Sequence, residues 1–421
     1  MGDPLHEHPD SQASRMSEPT DVQNSLRGPE PSTPPQSWRG VTVAFTGGGS
    51  AGHVTPNLAL IEALRARGGE AIYIGRGAER LGGELKPSVE QRLTEELEEL
   101  PYYEIPSERL RRYFDWRNFS MPFTVLRGIW RAYQHLRALK PDLLFSKGGF
   151  VSLPVVLGAW LNKTPVVLHE SDGTLGLANQ LSLPFTKVVC VAQARARAAT
   201  KHPFVAHTGT PIRQAFYEAS AEAARERFGL SGSKPLLLVF GGSLGAQHIN
   251  DALRGALSQL LEGYELFHVC GPGKVDPESL ERYAERGYHQ VEYVSEGFAD
   301  LLSAARLVVG RAGANSVAEL VLLKRPALLI PLPTQSSRGD QLLNAQEFEG
   351  MGFGKLLRDE QLSPESLLMK LAELEQGYET YVEAMSSAPS ADGAASTLAV
   401  MRQVLLATAG TADQKVEGGA P

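Results

Sequence analysis

A glycine-rich turn that joins an apolar run to a helix-like segment occurs twice in this chain, about 195 residues apart. The first is Val41-Thr42-Val43-Ala44-Phe45-Thr46 followed by Gly47-Gly48-Gly49-Ser50-Ala51-Gly52-His53. The second is Pro235-Leu236-Leu237-Leu238-Val239-Phe240 followed by Gly241-Gly242-Ser243-Leu244-Gly245-Ala246. Each has the pattern of the first βα turn of an open parallel sheet, where backbone N–H groups at a helix start face an anion. Two such starts in one chain imply two doubly wound α/β halves facing one cleft. That arrangement suits transfer of a group between two substrates.

With 421 residues there is enough chain for two separate cores. Residues 1–38 are rich in Pro, Ser, Glu and Gln and have almost no aliphatic periodicity. They cannot bury enough to fold and are expected to be a disordered extension. From Val41 onward strands and helices alternate, which predicts mostly parallel sheets with helices on both faces. In the first half, strands are expected at 41–46, 70–75, 141–145, 165–170 and 187–191, with helices near 53–67 and 125–139. A fresh series then gives strands at 235–240, 264–270, 290–294, 306–310 and 326–331. The expected division is a first domain at 39–213, a second at 214–393, a helix at 394–407 crossing back to the first, and a disordered tail at 408–421.

A formal charge of −7 and a pI near 5.9 argue against a general nucleic-acid binder. No apolar run reaches the ~18–20 residues needed to cross a bilayer, and the start of the chain lacks the hydrophobic region of a secretory signal. The expected location is the cytosol or a membrane surface reached from it. Cys190 and Cys270 lie in apolar strand-like runs and read as buried small hydrophobes in a reducing compartment.

The first loop matches G-x-G-x-x-G through Gly47, Gly49 and Gly52. A dinucleotide site also wants an acid at the end of the second strand to grip a ribose. Here Ala71-Ile72-Tyr73-Ile74-Gly75 ends in Arg76, which disfavours an NAD reading and leaves NADP as a weaker rival. His53 follows the last glycine at a helix start, where the positive helix end favours a neutral imidazole able to accept a proton. In the second half, Arg311-Ala312-Gly313-Ala314-Asn315-Ser316-Val317-Ala318-Glu319 follows an apolar strand and opens a helix. A diphosphate at that helix start gains ~0.3–2 kcal/mol from the dipole before any direct hydrogen bond. Glu319 lies one turn further in, within reach of ribose hydroxyls. Gly339-Asp340-Gln341-Leu342-Leu343-Asn344-Ala345 supplies short polar side chains suited to sugar hydroxyls. The stretch Arg109–Lys140 carries eight basic residues against one acid, Asp115, with Tyr113, Phe114, Trp116, Phe119, Phe123 and Trp130 interleaved. It reads either as a surface for anionic lipid or as a solvated helix whose aromatics face the core.

Taken together, these residues resemble the MurG-type peptidoglycan N-acetylglucosaminyltransferases. The resemblance runs from Gly48-Gly49-Ser50-Ala51-Gly52-His53-Val54-Thr55-Pro56 through Gly148-Gly149-Phe150-Val151-Ser152, Leu168-His169-Glu170 and Gly209-Thr210-Pro211-Ile212-Arg213. It continues through Gly241–Ala246 and Arg311–Glu319 to Gln341…Asn344-Ala345, in family order over roughly residues 40–405. It implies a GT-B fold, two Rossmann-like domains around a cleft, with a membrane-associated first half at the cytoplasmic face of the cell membrane. It implies transfer of N-acetylglucosamine from UDP-GlcNAc to the C4 hydroxyl of the MurNAc unit of an undecaprenyl-diphosphate-linked acceptor, lipid I, giving lipid II with inversion. By the same resemblance Ser50, Ala51 and Gly52 would face the donor diphosphate and the acceptor. Arg213 and Ser243 would contact the nucleotide-sugar and Ser295 the uracil. Ala314, Asn315, Ser316, Val317, Ala318 and Glu319 would hold diphosphate and ribose, and Gln341 the GlcNAc hydroxyls. The chain departs from the family pattern at Ser50-Ala51, at Phe150, and at Glu170-Ser171-Asp172-Gly173, where Asp172 replaces a usual asparagine.

Inversion needs one in-line displacement, with a base on the acceptor hydroxyl and stabilisation of the leaving UDP. His53 is the first candidate base and Asp172 the second. Neither an Asp-x-Asp motif nor a His/Cys cluster implies a bound catalytic metal, which leaves only loosely bound magnesium to consider. The rivals are another GT-B activity, such as a glycolipid glycosyltransferase or a UDP-GlcNAc 2-epimerase, and a non-catalytic nucleotide-sugar-binding protein.

Overall fold

The computed structural model describes residues 37–81, 84–107, 121–242, 245–333, 339–389 and 392–417. The expected disorder of the N-terminal extension falls on residues 1–36, outside the described residues. Its last residue, Trp38, is a correction: it is 1 % exposed and packs into the first core, with its N–H bonded to Arg67 O.

Alternating apolar runs and turns produce two parallel sheets. The first contains β1 (Thr42–Thr46), β2 (Glu70–Arg76), β5 (Tyr102–Ile105), β6 (Leu143–Ser146), β7 (Val166–Glu170), β8 (Val188–Val191) and β9 (Val205–His207). Their spatial order is β5-β2-β1-β6-β7-β8-β9, and a small antiparallel pair, β3 (Glu79–Leu81) with β4 (Glu84–Lys86), lies outside it. The second sheet has β10 (Leu236–Phe240), β11 (Glu265–Val269), β12 (Tyr288–Val291), β13 (Ala305–Gly310), β14 (Ala327–Leu329) and β15 (Gly354–Leu356), in the order β12-β11-β10-β13-β14-β15. Strands β1, β6, β7, β8, β10 and β11 are almost wholly buried because both faces of each sheet are covered.

In each sheet the chain first builds outward on one side of the opening strand and then returns to its other side. The reversal falls between β1 and β6 in the first sheet and between β10 and β13 in the second. In open α/β sheets the crevice beyond the strand ends at such a switch point is where ligands bind. The loops singled out from sequence, 47–53 and 147–152 in one half and 241–246 and 311–314 in the other, leave those four strand ends.

Several boundaries differ from expectation. The strand expected at 290–294 is Tyr288–Val291, and the helix expected from 125 begins at Met121. Strands β5, β9 and β15 were not foreseen: each is only three or four residues long and offers no period to read. The last helix runs Gly393–Glu417, so the chain remains helical through most of the expected 408–421 tail. Its residues Ala394, Leu398, Val400, Met401 and Val404 are buried in the first core beside Leu58, Ile61 and Trp38. Both cysteines are free and buried.

Candidate active site

Thr46 of β1 and Ser146 of β6 are register partners, so the loops that follow them run side by side. Gly48 N–H donates to Gly148 O at 3.3 Å. A Cβ on Gly149 would stand 2.2 Å from Gly48 O, and Gly149 also has φ +84°, so this contact requires glycine. Asn57 and Tyr73 anchor the first loop from beneath, through Asn57 Nδ2 to Thr46 O at 3.1 Å and Tyr73 OH to Gly47 O at 2.6 Å. Glu90, fully buried, accepts the Gly49 N–H at 3.2 Å. That amide of the glycine loop is therefore taken by the protein's own carboxylate. The amides of Ser50, Ala51 and Gly52 meet no acceptor among the described residues.

His53 ends a single 3-10 turn, Ala51–His53, and the α-helix starts two residues later at Thr55. The expectation that His53 opens the helix is corrected accordingly. Its Nδ1 lies 2.8 Å from Ser50 Oγ. For Nε2 to accept a proton, Nδ1 must carry the hydrogen and donate it to that hydroxyl.

The second cluster forms where β6 and β7 end. Glu170 is an internal brace, accepting from Asp172 N at 3.2 Å, Gly176 N at 2.9 Å and Asn179 Nδ2 at 3.0 Å. His169 is bonded through Nε2 to Gly209 O at 2.9 Å, and burial, helped by the Lys147 charge, lowers its pKa to about 3. It is neutral at any ordinary pH. The Asp172 carboxyl is pushed upward by burial and by the neighbouring Glu170 and Asp340, with Lys147 opposing them. Asn344 Nδ2 reaches its Oδ1 at 3.4 Å.

In the second half, β13 delivers the helix Ala314–Leu322. Gly313 is its N-cap and no side chain caps it. The Val317 N–H is already bonded to Gly313 O, so the dipolar end open to an anion is Ala314, Asn315 and Ser316. Val317 and Ala318, expected with Ala314–Glu319 to hold diphosphate and ribose, have their backbone within the helix Ala314–Leu322. Glu319 is 9 % exposed and accepts no hydrogen bond among the described residues. Burial raises its pKa to about 8, with Arg213 opposing.

Arg213 was expected on the nucleotide-sugar; in the structure its guanidinium spans two carboxylates of the first half, Glu62 at 3.0 Å and Glu96 at 2.8 Å. Gln341 uses Oε1 to accept Leu332 N–H at 3.0 Å, fixing the loop after β14. Ser295 sits exposed in the loop after β12. Ser243 lies outside the described residues, as do Arg109, Arg111, Arg112 and Arg117 of the basic stretch. Arg311, conspicuous in sequence, turns away to Asp359 and to the carbonyls of Ile330 and Pro331.

The two halves meet across these loops. Asn315 Nδ2 donates to Gly52 O at 3.2 Å, which sets the open helix end against the Ser50–His53 turn. Thr174 Oγ1 donates to Asp340 at 2.6 Å, and Gln193 Nε2 to Asn344 at 3.0 Å. Sequence reasoning missed Glu90, Lys147 and Thr174. Glu90 carries no local signal, whereas Lys147, a lysine between an apolar strand and Gly148-Gly149, was visible and passed over. A cavity of about 440 Å³ lined by Arg225, Lys234, Arg306, Arg325 and Tyr378 lies at the opposite ends of β10 and β13, remote from these loops. Among the described residues no group of three His, Cys, Asp or Glu side chains forms a metal site, and no helix is long and apolar enough to cross a membrane.

On the helix Met121–Leu139, Phe123, Leu126 and Trp130 are 75 %, 63 % and 58 % exposed. They recur at helical spacing on one face, with exposed Arg127 and Arg131 beside them. This helix packs on Ser152–Leu161, whose end also exposes Trp160 and Leu161. Phe123 and Trp130 face solvent rather than the core, so aromatics packed inward are not what the described residues of this stretch show.

Comparison with known proteins follows the same division. Residues 43–191 match the glycosyltransferase family 28 N-terminal domain and residues 236–400 the family 28 C-terminal domain. A Geobacillus thermodenitrificans protein is 42 % identical over 360 residues, covering 86 % of this chain and 98 % of its own length. It is named UDP-N-acetylglucosamine–N-acetylmuramyl-(pentapeptide) pyrophosphoryl-undecaprenol N-acetylglucosamine transferase. The crystal structure of Acinetobacter baumannii MurG superposes with a TM-score of 0.61 at 26 % identity, covering 85 % of this chain and 98 % of that one. A Listeria monocytogenes putative UDP-N-acetylglucosamine 2-epimerase, at 16 % identity, TM-score 0.60 and coverage of 86 % and 96 %, shares the fold alone. Two parallel sheets with their switch-point loops facing each other, both family 28 domains in order, and this level of identity along the chain place it in the MurG-type family of GT-B glycosyltransferases.

Proposed function

We propose that this chain transfers N-acetylglucosamine from UDP-GlcNAc to the C4 hydroxyl of the MurNAc unit of lipid I, forming lipid II with inversion at the anomeric carbon. The observation that carries the reading is the contact of Asn315 with Gly52. It sets a helix end that no side chain caps, with the buried carboxyl of Glu319 behind it, against the turn that holds His53. A nucleoside diphosphate seated on Ala314, Asn315 and Ser316, with ribose hydroxyls on Glu319, would present its sugar to that turn. The helix dipole and the amides would stabilise charge on the departing diphosphate. His53, oriented by Ser50, would take the C4 proton as the C4 oxygen bonds to the anomeric carbon and UDP leaves with the electron pair. Asp172 is the second candidate for that proton. Ser295 and Gln341 would contact uracil and GlcNAc, and Ser50, Ala51 and Gly52 would offer their amides to the acceptor side. Any magnesium would arrive with the diphosphate, since no protein ligand set is part of this reading.

The acceptor is lipid-linked, and the exposed stripe Phe123, Leu126 and Trp130 with its arginines would rest on an anionic membrane at the cytoplasmic face. The first half, to about residue 213, would then serve acceptor and membrane, and the second the donor. Incubation with radiolabelled UDP-GlcNAc and lipid I tests the proposal, with labelled lipid II expected. Conversion of UDP-GlcNAc without an acceptor, or label in another glycolipid, would replace it by a rival GT-B activity.

A further inference from the structure

The proposed reaction uses the outgoing strand ends of the second sheet, whereas the cavity of about 440 Å³ lies at the incoming ends of the same sheet. Three adjacent strands each deliver a basic side chain to it as they begin: Lys234 ahead of β10, Arg306 at the start of β13, and Arg325 ahead of β14. Leu236 is the register partner of Ala305 and Leu237 of Leu307. Arg306 is therefore the extra residue of a bulge, a device that re-aims a side chain. Arg225 of the helix Ala221–Phe228 adds a fourth cation from the wall.

These charges are unevenly matched. Arg306 is committed: its guanidinium holds Glu375 at 2.6 and 2.7 Å and stacks on the Tyr378 ring at 3.9 Å. Lys234 gives its ammonium to a neutral acceptor, Leu261 O. Arg325 borders Tyr378, and its Nε is buried without a hydrogen-bond partner. Neither of these two, nor Arg225, pairs with a carboxylate among the described residues. The carboxylate on the lining, Glu265, already accepts from Ser231 N, Ser231 Oγ, Gly232 N and His289 Nε2. Three cations thus face one occupied carboxylate, in a chain whose net charge is −7. Crowded like charges and a buried, unpaired N–H both cost stability until an anion joins them.

We propose that this cavity is a second anion site, separate from the donor cleft, for a small molecule that carries phosphate. Guanidinium groups and an ammonium converging from several elements are the donor set that phosphate oxygens take. Its 440 Å³ admits more than a bare phosphate and falls in the ~300–1,000 Å³ range of small-molecule sites. Leu230, Leu236 and Ala304 supply an apolar wall for the rest of the ligand. At about 3.3 Å per residue, the five residues of β10 set this site roughly 17 Å from the loop that leaves Phe240, too far for one pyrophosphate to block both. Occupancy here does not depend on the transfer reaction proposed above.

Pyrophosphate is the probe, titrated calorimetrically into the full-length protein at constant ionic strength, first alone and then with UDP at saturation. With UDP present, one pyrophosphate site is expected to remain. Lys234→Gln and Arg325→Gln are each expected to weaken that site by about tenfold or more, as for loss of one charge-assisted hydrogen bond, with UDP affinity unchanged. Arg225→Gln, at an exposed helix position, is expected to weaken it several-fold and keeps the test open should Arg325→Gln not fold. A short-chain phosphatidate below its micelle concentration forms the second arm. Tighter binding than pyrophosphate assigns the cavity to a lipid headgroup, and weaker binding assigns it to a soluble phosphate. Loss of all pyrophosphate binding under saturating UDP, or equal pyrophosphate affinity in the parent and every folded variant, overturns the proposal.

Discussion

The Glu319 carboxyl gives the most quantitative test of the donor site. In the unliganded protein its pKa is about 8, raised from 4.5 by burial, and it accepts no hydrogen bond among the described residues. A ribose seated on it donates two hydroxyl hydrogens, which favours the ionised form and lowers that pKa on binding. Binding therefore releases a proton wherever the free carboxyl is protonated and the bound one is not. At pH 7, one unit below the free value, ionising the group costs about 1.4 kcal/mol, a factor of about ten in affinity. Affinity for UDP-GlcNAc should consequently rise about ninefold from pH 6 to 7 and about fivefold from pH 7 to 8, and level off by about pH 9. The diphosphate diester of UDP-GlcNAc does not titrate in that range, so it contributes no slope. Calorimetry in buffers of different ionisation enthalpy should show nearly one proton released at pH 7. Glu319→Gln should flatten the profile, and Glu319→Ala should weaken binding by about 1–3 kcal/mol at pH 8. A parent affinity that is flat between pH 6 and 8.5, or a slope that survives Glu319→Gln, would remove this carboxyl from the nucleotide site.

Three further outcomes are expected. His53→Ala should lower turnover by about 10²–10⁴-fold with UDP-GlcNAc affinity little changed, and Ser50→Ala should lower it by about tenfold through loss of one orienting hydrogen bond; survival of turnover in His53→Ala with collapse in Asp172→Asn would pass the proton to the aspartate. Replacing Phe123, Leu126 and Trp130 together by serine should release the protein from anionic vesicles, each exposed side chain forfeiting up to about 1.5–3 kcal/mol of burial, while the thermal midpoint stays near the parent's because all three face solvent; equal vesicle binding would refute the membrane reading. Gly149→Ala should lower stability by about 1–3 kcal/mol in chemical denaturation, since its Cβ would meet the Gly48 carbonyl in a left-handed backbone; an unchanged midpoint would mean the two loops are free to part.

The architecture was legible because it is written in runs. Apolar runs such as Val166–Leu168 and Leu236–Phe240, each followed by polar residues or glycine, declare buried parallel strands. The same signal fails for Gly354–Leu356 and Val205–His207, which are too short to show a period. Trp38 was lost to the composition of its neighbours: one tryptophan at the edge of a Pro- and Ser-rich stretch finds a core no local pattern reveals. His53 and Ala314–Ser316 could be placed beyond strand ends because each belongs to the loop or helix start that follows an apolar strand. Partners could not. Nothing near Arg213 in sequence announces Glu62 and Glu96, and nothing near Gly49 announces Glu90, because those pairs are made by tertiary packing across 41 to 151 residues of chain.

Those partners also bear on how a donor could enter. The contacts that cross between the first-half loops and the second are polar: Asn315 with Gly52, Thr174 with Asp340, Gln193 with Asn344, and Arg195 with Glu347. Each such hydrogen bond is worth about 0.5–1.5 kcal/mol net, because water replaces it when broken. The apolar tie between the halves is of another kind, the buried face of Gly393–Glu417 in the first core. The cleft can therefore open by exchanging a few hydrogen bonds with solvent, while the helix keeps its buried face in the first core. Arg213 lies at the same seam, leading from β9 into the helix Gln214–Tyr217, which packs on both Thr55–Arg65 and Ala314–Leu322. While its guanidinium stays on Glu62 and Glu96 it is a latch on the first half, and the field it lends to Glu319 reaches the donor site only through space.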